Sequence, residues 1–211
     1  LFNSAENYDY IGNPNLKNES SLEANAYLSL KKTNFFGKIS SSYFHISNYI
    51  VGKVNPNFAP MTIGAKGVKL YSALDYATIF NISLDADIKV LPELKWTSQV
   101  VYSSGKDFEN VNLPFISPIS YLTKILFEKN KFNAEVLVNG NLKNSSYASV
   151  YGEKPVSDYV LLNANLGYKF DFGHSKIFTK LGVENLLDRN YTTYADWNRI
   201  PRPGRNFFVN I

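Results

Sequence analysis

The sequence predicts an antiparallel β-barrel that spans a membrane, and three observations carry this prediction. Apolar and polar side chains alternate with a period of two along most of the 211 residues, which is typical of strands with one apolar face. Short turns alternate with long polar connections between these segments, as in up-and-down membrane barrels. Tyr and Phe are abundant, with 15 of each, and such residues form the aromatic girdles of membrane barrels.

The alternation is clearest in the segment 132–142. One face of this segment carries Phe132, Ala134, Val136, Val138 and Leu142. The opposite face carries Asn and charged residues, and the same pattern recurs in residues 22–30, 81–90 and 160–171. No segment keeps a period of 3.6 residues over three turns, so the sequence predicts no helix longer than one turn.

The pattern predicts nine strands. They are expected at residues 19–32, 37–51, 75–91, 94–104, 119–128, 131–142, 159–171, 175–187 and 205–211. The short turns are expected at residues 32–37, 91–94, 128–131 and 172–175, and the long connections at residues 51–74, 105–118, 143–158 and 188–204. Short turns of such barrels lie in the periplasm and long loops lie outside the cell.

Nine strands do not make a complete barrel. Single-chain bacterial barrels close with an even number of strands, and hydrocarbon does not tolerate unpaired strand edges. Residues 1–211 are therefore expected to form part of a larger barrel. The first residues, Leu1 to Ser4, are neither a signal peptide nor an initiator Met, which predicts that the chain begins inside a longer protein.

The composition excludes several classes of protein. No run approaches the ~18–20 apolar residues of a membrane helix. Cysteine is absent, which excludes disulfides, thiolate zinc sites and cysteine nucleophiles within this chain. The net charge of +4 is mild and the charges are interspersed, so no basic stripe points to a nucleic-acid partner. No cofactor is predicted.

The C-terminal residues carry the most specific signal. Residues 181–191 read LGVENLLDRNY, and residues 201–209 read PRPGRNFFV. These segments resemble the closing hairpin of TonB-dependent outer-membrane receptors, which pairs G-V-x-N-L-x-D-x-x-Y with P-G-R-x-F. Weaker resemblances to this family follow in the same order at residues 12–19, 77–84, 113–118 and 159–163, so that the resemblance covers nearly the whole chain.

The sequence departs from the family pattern at a few positions. Asn18 replaces the usual Pro of the first element, and Asn81 and Ser83 replace the Gly and Glu of the second. The family's last strand usually ends in an aromatic residue, whereas this chain ends at Ile211. We expect that a few terminal residues are missing; the alternative is that Ile211 substitutes for the aromatic residue.

The resemblance implies a fold and a function. It implies that residues 1–211 are the C-terminal nine strands of a roughly 22-stranded barrel in the bacterial outer membrane, preceded by a plug domain and a TonB-contacting segment. The expected partners are outer-membrane lipid, the plug, the TonB complex and a small-molecule ligand. The expected function is active import of a metal chelate, such as a ferric siderophore, haem, cobalamin or copper, energised through TonB.

Aromatic and basic residues of the last two external loops are the candidate ligand contacts. They are Tyr147, Tyr151, Tyr194, Trp197, Arg199 and Arg202, with Tyr191 beside them. Aromatic rings beside Arg can stack on an anionic chelate or a sugar and pair with it. The alternative is that these side chains only pack the loops together.

Two residues are candidate ligands for a soft metal. His45 is expected near the outer end of a strand, and Met61 lies in the following external loop; copper favours such ligands. The alternative is that both are ordinary side chains of the barrel and its loops. His174 falls in a short turn and is interpreted as structural.

No enzyme signature is apparent. Asp85 and Asp87 lie at positions i and i+2 on one strand face, about 7 Å apart, but this spacing is common in strands that face a polar lumen. The alternation places them there with Glu135, Asp171, Lys89 and Lys169. Two other hypotheses remain open at this point: a passive outer-membrane porin and a soluble all-β binding domain.

Overall fold

The computed structural model describes residues 1–173, 175–196 and 198–211. Its strands, numbered in chain order, are β1 (Phe2–Asn3), β2 (Tyr8–Ile11), β3 (Ser20–Lys32), β4 (Phe35–Ser47), β5 (Ile50–Val54), β6 (Val68–Ala73), β7 (Tyr76–Leu91), β8 (Leu94–Asp107), β9 (Ser120–Lys129), β10 (Phe132–Asn141), β11 (Tyr159–Phe172), β12 (Ser175–Glu184) and β13 (Asn206–Asn210). One 3-10 turn, Ser149–Tyr151, is the only helical element among the described residues. No helix there is long and apolar enough to cross a bilayer.

Nine of these strands form one antiparallel sheet, the large sheet. Its order is β13-β12-β11-β10-β9-β8-β7-β4-β3, and every strand in it pairs with its neighbours in antiparallel register. The nine predicted strands are therefore confirmed. Most of their boundaries shift by one to three residues because the ends of strands leave little trace in an alternating pattern.

One predicted strand differs from the structure. Residues 37–51 were expected to form a single strand, but β4 ends at Ser47 and Ile50 begins a strand of a different sheet. Asn48 separates the two with a φ of 54°, a conformation that short polar side chains tolerate. The Asn48 side chain donates to the Asn18 carbonyl at 3.2 Å, which fixes the change of direction.

The expected long connection at residues 51–74 is therefore not irregular. It contains β5, β6 and the loop between them, which join β1 and β2 in a second sheet of order β1-β2-β6-β5. The pairing of β2 with β6 is parallel, whereas the other two pairings are antiparallel. The sequence did not predict this small sheet because its strands have two to six residues, too few for a period of two to stand out.

The register of the large sheet puts its apolar side chains on one continuous face. Val136 lies opposite Ile125 and Ala164, and Leu181 lies opposite Leu166 and Val209. These side chains are not covered by protein: Val136 is 47% exposed and Leu181 is 53% exposed. An uncovered apolar face of this extent suits acyl chains as its solvent and argues against a soluble domain with Val136 in its core.

The opposite face of the large sheet is mostly polar, as predicted for a lumen. Gln99 donates to Asp85 at 2.6 Å, and Thr97 donates to Asp87 at 2.6 Å. Asn165 donates to Glu135 at 3.0 Å. Both carboxylates of the Asp85 and Asp87 pair are thus bonded to the neighbouring strand β8, which is the expected behaviour of wall residues.

In the C-terminal hairpin, a glycine allows an aromatic ring of β13 to lie close to the backbone of β12. Gly182 and Phe208 are direct cross-strand partners, and a Cβ on Gly182 would lie 2.3 Å from the tip of the Phe208 ring. The ring therefore rests on the backbone of β12, which only glycine permits. This contact links the two segments that carry the strongest family resemblance.

A hydrogen-bonded corner follows β12 at Asn185, where φ is 50°. The Asn185 side chain accepts from the Arg189 amide at 2.8 Å and donates to the Arg189 carbonyl at 2.9 Å. Asp188 accepts from the Arg205 amide at 2.8 Å. These contacts connect the two segments that resemble the family motifs, residues 181–191 and 201–209, and they fix where the last external loop begins.

Candidate ligand-binding site in the external loops

The connections at one end of the large sheet are long, and they pack into one structure, the external-loop assembly. It comprises residues 1–18, 48–75, 108–119, 142–158, 185–196 and 198–205 and includes the small sheet. Its buried apolar core is formed by Val51, Leu74, Ala77, Leu113, Ala148 and Tyr151, with Ala77 contributed by β7. The loops thus support one another and hold defined positions.

A cluster of charged side chains is buried beside this core. The side chain of Lys69 is 1% exposed and pairs with Glu6, which is also buried. The Tyr10 hydroxyl donates to the Glu6 carboxylate at 2.8 Å, and the Lys69 ammonium lies 4.7 Å from the centroid of the Tyr8 ring. Buried charges are stable only when they are paired and hydrogen-bonded, and this cluster satisfies that requirement.

Glu153 adds a second carboxylate to the cluster. Its Oε2 atom accepts from the Ala148 amide at 2.6 Å. Burial raises the pKa of Glu153, and the hydrogen bond from Ala148 and the charge of Lys69 lower it only in part. Burial likewise lowers the pKa of Lys69, against the hydrogen bond and charge of Glu6. Lys69 is thus paired with Glu6 and also acts electrostatically on the second carboxylate, Glu153.

Substitution Glu153→Gln is expected to make the stability of the external-loop assembly less dependent on pH. A carboxyl whose folded pKa is raised favours the fold most below its unfolded pKa, and that contribution is lost as the pH rises through the folded pKa. The natural assembly should thus lose stability as the pH rises above the ordinary value of 4.5. The melting temperature of the loops, measured for both proteins from about pH 4 to about pH 8, checks this.

The matched control for that measurement is Glu109→Gln. Glu109 is an exposed residue of the same assembly, so its substitution removes one charge without changing the buried cluster. The control should follow the pH profile of the natural protein. Parallel profiles for the natural protein and Glu153→Gln would contradict the prediction.

Asp9 holds a neighbouring loop in place. It accepts from the amides of Met61 and Thr62 at 2.7 and 2.9 Å and from the Thr62 hydroxyl at 2.7 Å. The hydrogen bonds from Thr62 lower the pKa of Asp9. The loop therefore presents Met61, which is 95% exposed, on a fixed backbone.

The predicted ligand residues of the first of the two loops lie within the assembly. Tyr151 is buried, and its hydroxyl donates to Asp107 at 3.0 Å. Tyr147 is half-buried. Contact between Tyr151 and a ligand would require the core to open, so in this structure Tyr151 supports the loops.

The predicted residues of the last loop lie closer to its surface. The Tyr191 ring lies 4.5 Å from the Tyr159 ring, and Tyr194 is half-buried. Arg202 donates to the Thr193 hydroxyl at 3.0 Å. Arg199 is exposed and donates to the Pro155 carbonyl at 3.1 Å. Trp197 lies outside the described residues.

Three cations from different loops come together at this surface, and we term Lys66, Lys154 and Arg199 the cationic cluster. The pKa of Lys66 is lowered by burial first and then by the charges of Lys154 and Arg199. Of these three residues, only Arg199 was predicted from the sequence as a ligand contact. Lys66 and Lys154 could not be found from the sequence because the three residues are far apart in the chain. Lys154 is 88 positions after Lys66, and Arg199 is 45 positions after Lys154.

The two candidate metal ligands lie in different settings. His45 is on the apolar face of the large sheet, opposite Leu22 and Thr78, and its ring stacks on Tyr76 at 4.9 Å. Met61 projects from the loop held by Asp9. No group of three or more His, Cys, Asp or Glu side chains among the described residues could hold a metal ion. Metal ligation by His45 or Met61 stays a prediction, and His174 lies outside the described residues.

Residues 1–186 match the model of the family described as TonB dependent receptor-like, beta-barrel. The chain belongs to this family. Its members are outer-membrane proteins of Gram-negative bacteria, so the large sheet lies in the outer membrane. The long loops of such barrels lie outside the cell. Members act as receptors and transporters rather than as enzymes.

Solved structures share the fold. The copper transporter OprC is similar with a TM-score of 0.81 and 17% identity, over 93% of this chain and 31% of OprC. A mutant of the ferric enterobactin receptor PfeA from Pseudomonas aeruginosa is similar with a TM-score of 0.70 and 14% identity, over 99% of this chain and 34% of PfeA. The FrpB iron transporter from Neisseria meningitidis is similar with a TM-score of 0.69 and 11% identity, over 95% of this chain and 32% of FrpB.

The chain spans about a third of the length of these structures. No curated protein matches it. The low identities mean that these structures establish the fold alone.

Proposed function

We propose that this protein is a receptor and active transporter that imports a metal chelate, such as a ferric siderophore, haem, cobalamin or copper, with energy supplied through TonB. In this proposal, residues 1–211 are the C-terminal nine strands of a roughly 22-stranded barrel. A plug domain and a TonB-contacting segment would precede them. The family assignment and the ordered external-loop assembly support the proposal.

The observation that carries the proposed substrate class is the cationic cluster on the outer surface. Metal chelates with oxygen donors are commonly anionic, and cations gathered at one surface raise the local concentration of an anion and speed its association. Arg199 uses one of its donors for the Pro155 carbonyl, and a guanidinium has five. The remaining donors can make charge-assisted bonds to a chelate.

The test of this proposal is the binding of radiolabelled ferric tricatecholate, ferric trihydroxamate, haem, cobalamin and copper to the natural receptor. We expect one anionic chelate to bind and the double variant Lys154→Gln, Arg199→Gln to weaken its binding about a hundredfold or more, since two charge-assisted bonds are lost and each is worth about 1.5–3 kcal/mol. The control pair is Lys17→Gln with Lys53→Gln, two exposed lysines of the same assembly. Equal weakening by both pairs would contradict a specific role for the cluster.

A passive porin is the second candidate, and uptake in cells separates it from the first. Active transport should saturate at low ligand concentration and disappear in cells that lack TonB. Uptake that persists without TonB and rises linearly with concentration would favour the porin and overturn the proposed energy coupling.

A further inference from the structure

A cavity of about 300 Å³ interrupts the outer rim of the large sheet. Strand β9 begins at Ser120, which pairs with Val101 of β8. Beyond that pair, β8 continues to Asp107 without β9 beside it. The cavity occupies this gap, between the outer end of β8 and the segment that follows β10.

The lining of this cavity combines cations and hydroxyl groups. Lys106 and Lys143 contribute ammonium groups, and five serines line the cavity: Ser103, Ser104, Ser117, Ser145 and Ser146. None of the described residues that line it is acidic. Such a lining is complementary to an anion with several oxygen acceptors.

The cavity lies where the apolar face meets the loops. Tyr102, Ser104 and Lys106 alternate along β8 on the apolar face, where Tyr102 lies opposite Ile82 and Ser104 opposite Phe80. Tyr102 and Leu142, which also lines the cavity, are 43% and 48% exposed. Lys106 is four residues beyond Tyr102, which is about 14 Å farther along the strand. Because the strand is tilted, the distance between them along the membrane normal is shorter. The cations thus lie just outside the outer aromatic residues, at the level of lipid headgroups.

We propose that this cavity binds a phosphate group of an outer-leaflet lipid. The phosphate oxygens accept from Lys106, Lys143 and the hydroxyls of Ser104, Ser145 and Ser146, and the acyl chains of the same lipid lie against Tyr102 and Leu142. Basic pockets at a membrane surface recognise anionic headgroups in this way. The site is separate from the nutrient site, because it opens on the face that meets lipid.

Local hydrogen bonds order both sides of the cavity. The Lys106 ammonium donates to the Asn110 carbonyl at 3.3 Å, and an ammonium has two further donors. The buried Asn144 side chain accepts from the Ser146 amide at 3.2 Å, which fixes the segment after β10. The cavity is therefore formed before any lipid arrives.

The test uses the natural receptor in detergent and native mass spectrometry with three probes: lipid A, phosphatidylcholine and inorganic phosphate. The variants are Lys106→Gln with Lys143→Gln, the charge-preserving pair Lys106→Arg with Lys143→Arg, and the control pair Lys17→Gln with Lys53→Gln. Folding of each variant is checked by its heat-dependent migration in gels. We expect the natural protein, the Arg pair and the control pair to retain lipid A in preference to phosphatidylcholine, and the Gln pair to retain about tenfold less.

Two results would overturn the proposal. Equal retention of lipid A by the natural protein and a folded Gln pair would show that the cavity does not hold the phosphate. Loss of inorganic-phosphate binding in the Gln pair, with lipid A retained as in the natural protein, would assign the cavity to a soluble anion. Failure of chelate binding would leave this test unaffected, because lipid retention does not depend on the nutrient.

Discussion

Substitution Lys69→Met is expected to destabilise the external-loop assembly by about 3–5 kcal/mol, the usual cost of removing one partner of a buried ion pair. Without the Lys69 ammonium, the buried Glu6 carboxylate loses its ion-pair partner, and the buried Glu153 carboxylate loses a charge that lowers its pKa. The small sheet should open while the large sheet stays folded, because Lys69 lies in β6. Limited proteolysis of the loops at neutral pH, with gel migration as the readout of the barrel, measures both.

Lys53→Met is the matched control for that experiment. Lys53 is an exposed lysine of the same small sheet and lies opposite Leu70, so the same substitution there should change loop cleavage little. The double variant Glu6→Gln, Lys69→Met removes both charges of the pair and should recover part of the lost stability. Similar cleavage of Lys69→Met and the natural protein would refute the role given to the buried pair.

Substitution Val136→Arg is expected to impair insertion of the barrel by about 2–4 kcal/mol, the cost of a cation on the lipid face near the bilayer midplane. Val136 lies midway along β10, on the apolar face. Equilibrium folding into lipid vesicles measures the change in free energy of insertion.

The neighbouring residue supplies the control for Val136→Arg. Leu137 is adjacent in β10 and lies on the opposite face, across from Lys124 and Asn163. Leu137→Arg should cost at most about 1 kcal/mol, from repulsion by the cross-strand lysine. Similar losses from both substitutions would contradict the assignment of the two faces.

The sequence predicted the large sheet because its strands obey one local rule. Ten or more residues in a row alternate in strands such as β3, β7 and β11, and water and lipid select opposite kinds of side chain on the two faces. The family motifs were legible for a related reason, since Gly182, Asn185 and Asp188 are each required by a contact within the C-terminal hairpin.

The sequence was less informative about the loops. It identified Tyr151 as an aromatic residue of an external loop, but not that its side chain would be buried against Asp107. It offered no sign that β4 would end at Ser47 or that the following residues would enter a second sheet. Short strands and irregular segments carry no period from which burial can be read.

The alternating wall, the two solvents that it faces and its family can be read from the residues along the chain. Which residues meet in the loops, such as Glu6 with Lys69 and Lys66 with Arg199, becomes apparent only in the folded protein. The difference comes from the range of the interactions. Alternation is set by the solvent that each residue faces, whereas a buried ion pair or a cationic cluster depends on loops that approach each other only after the whole sheet has formed.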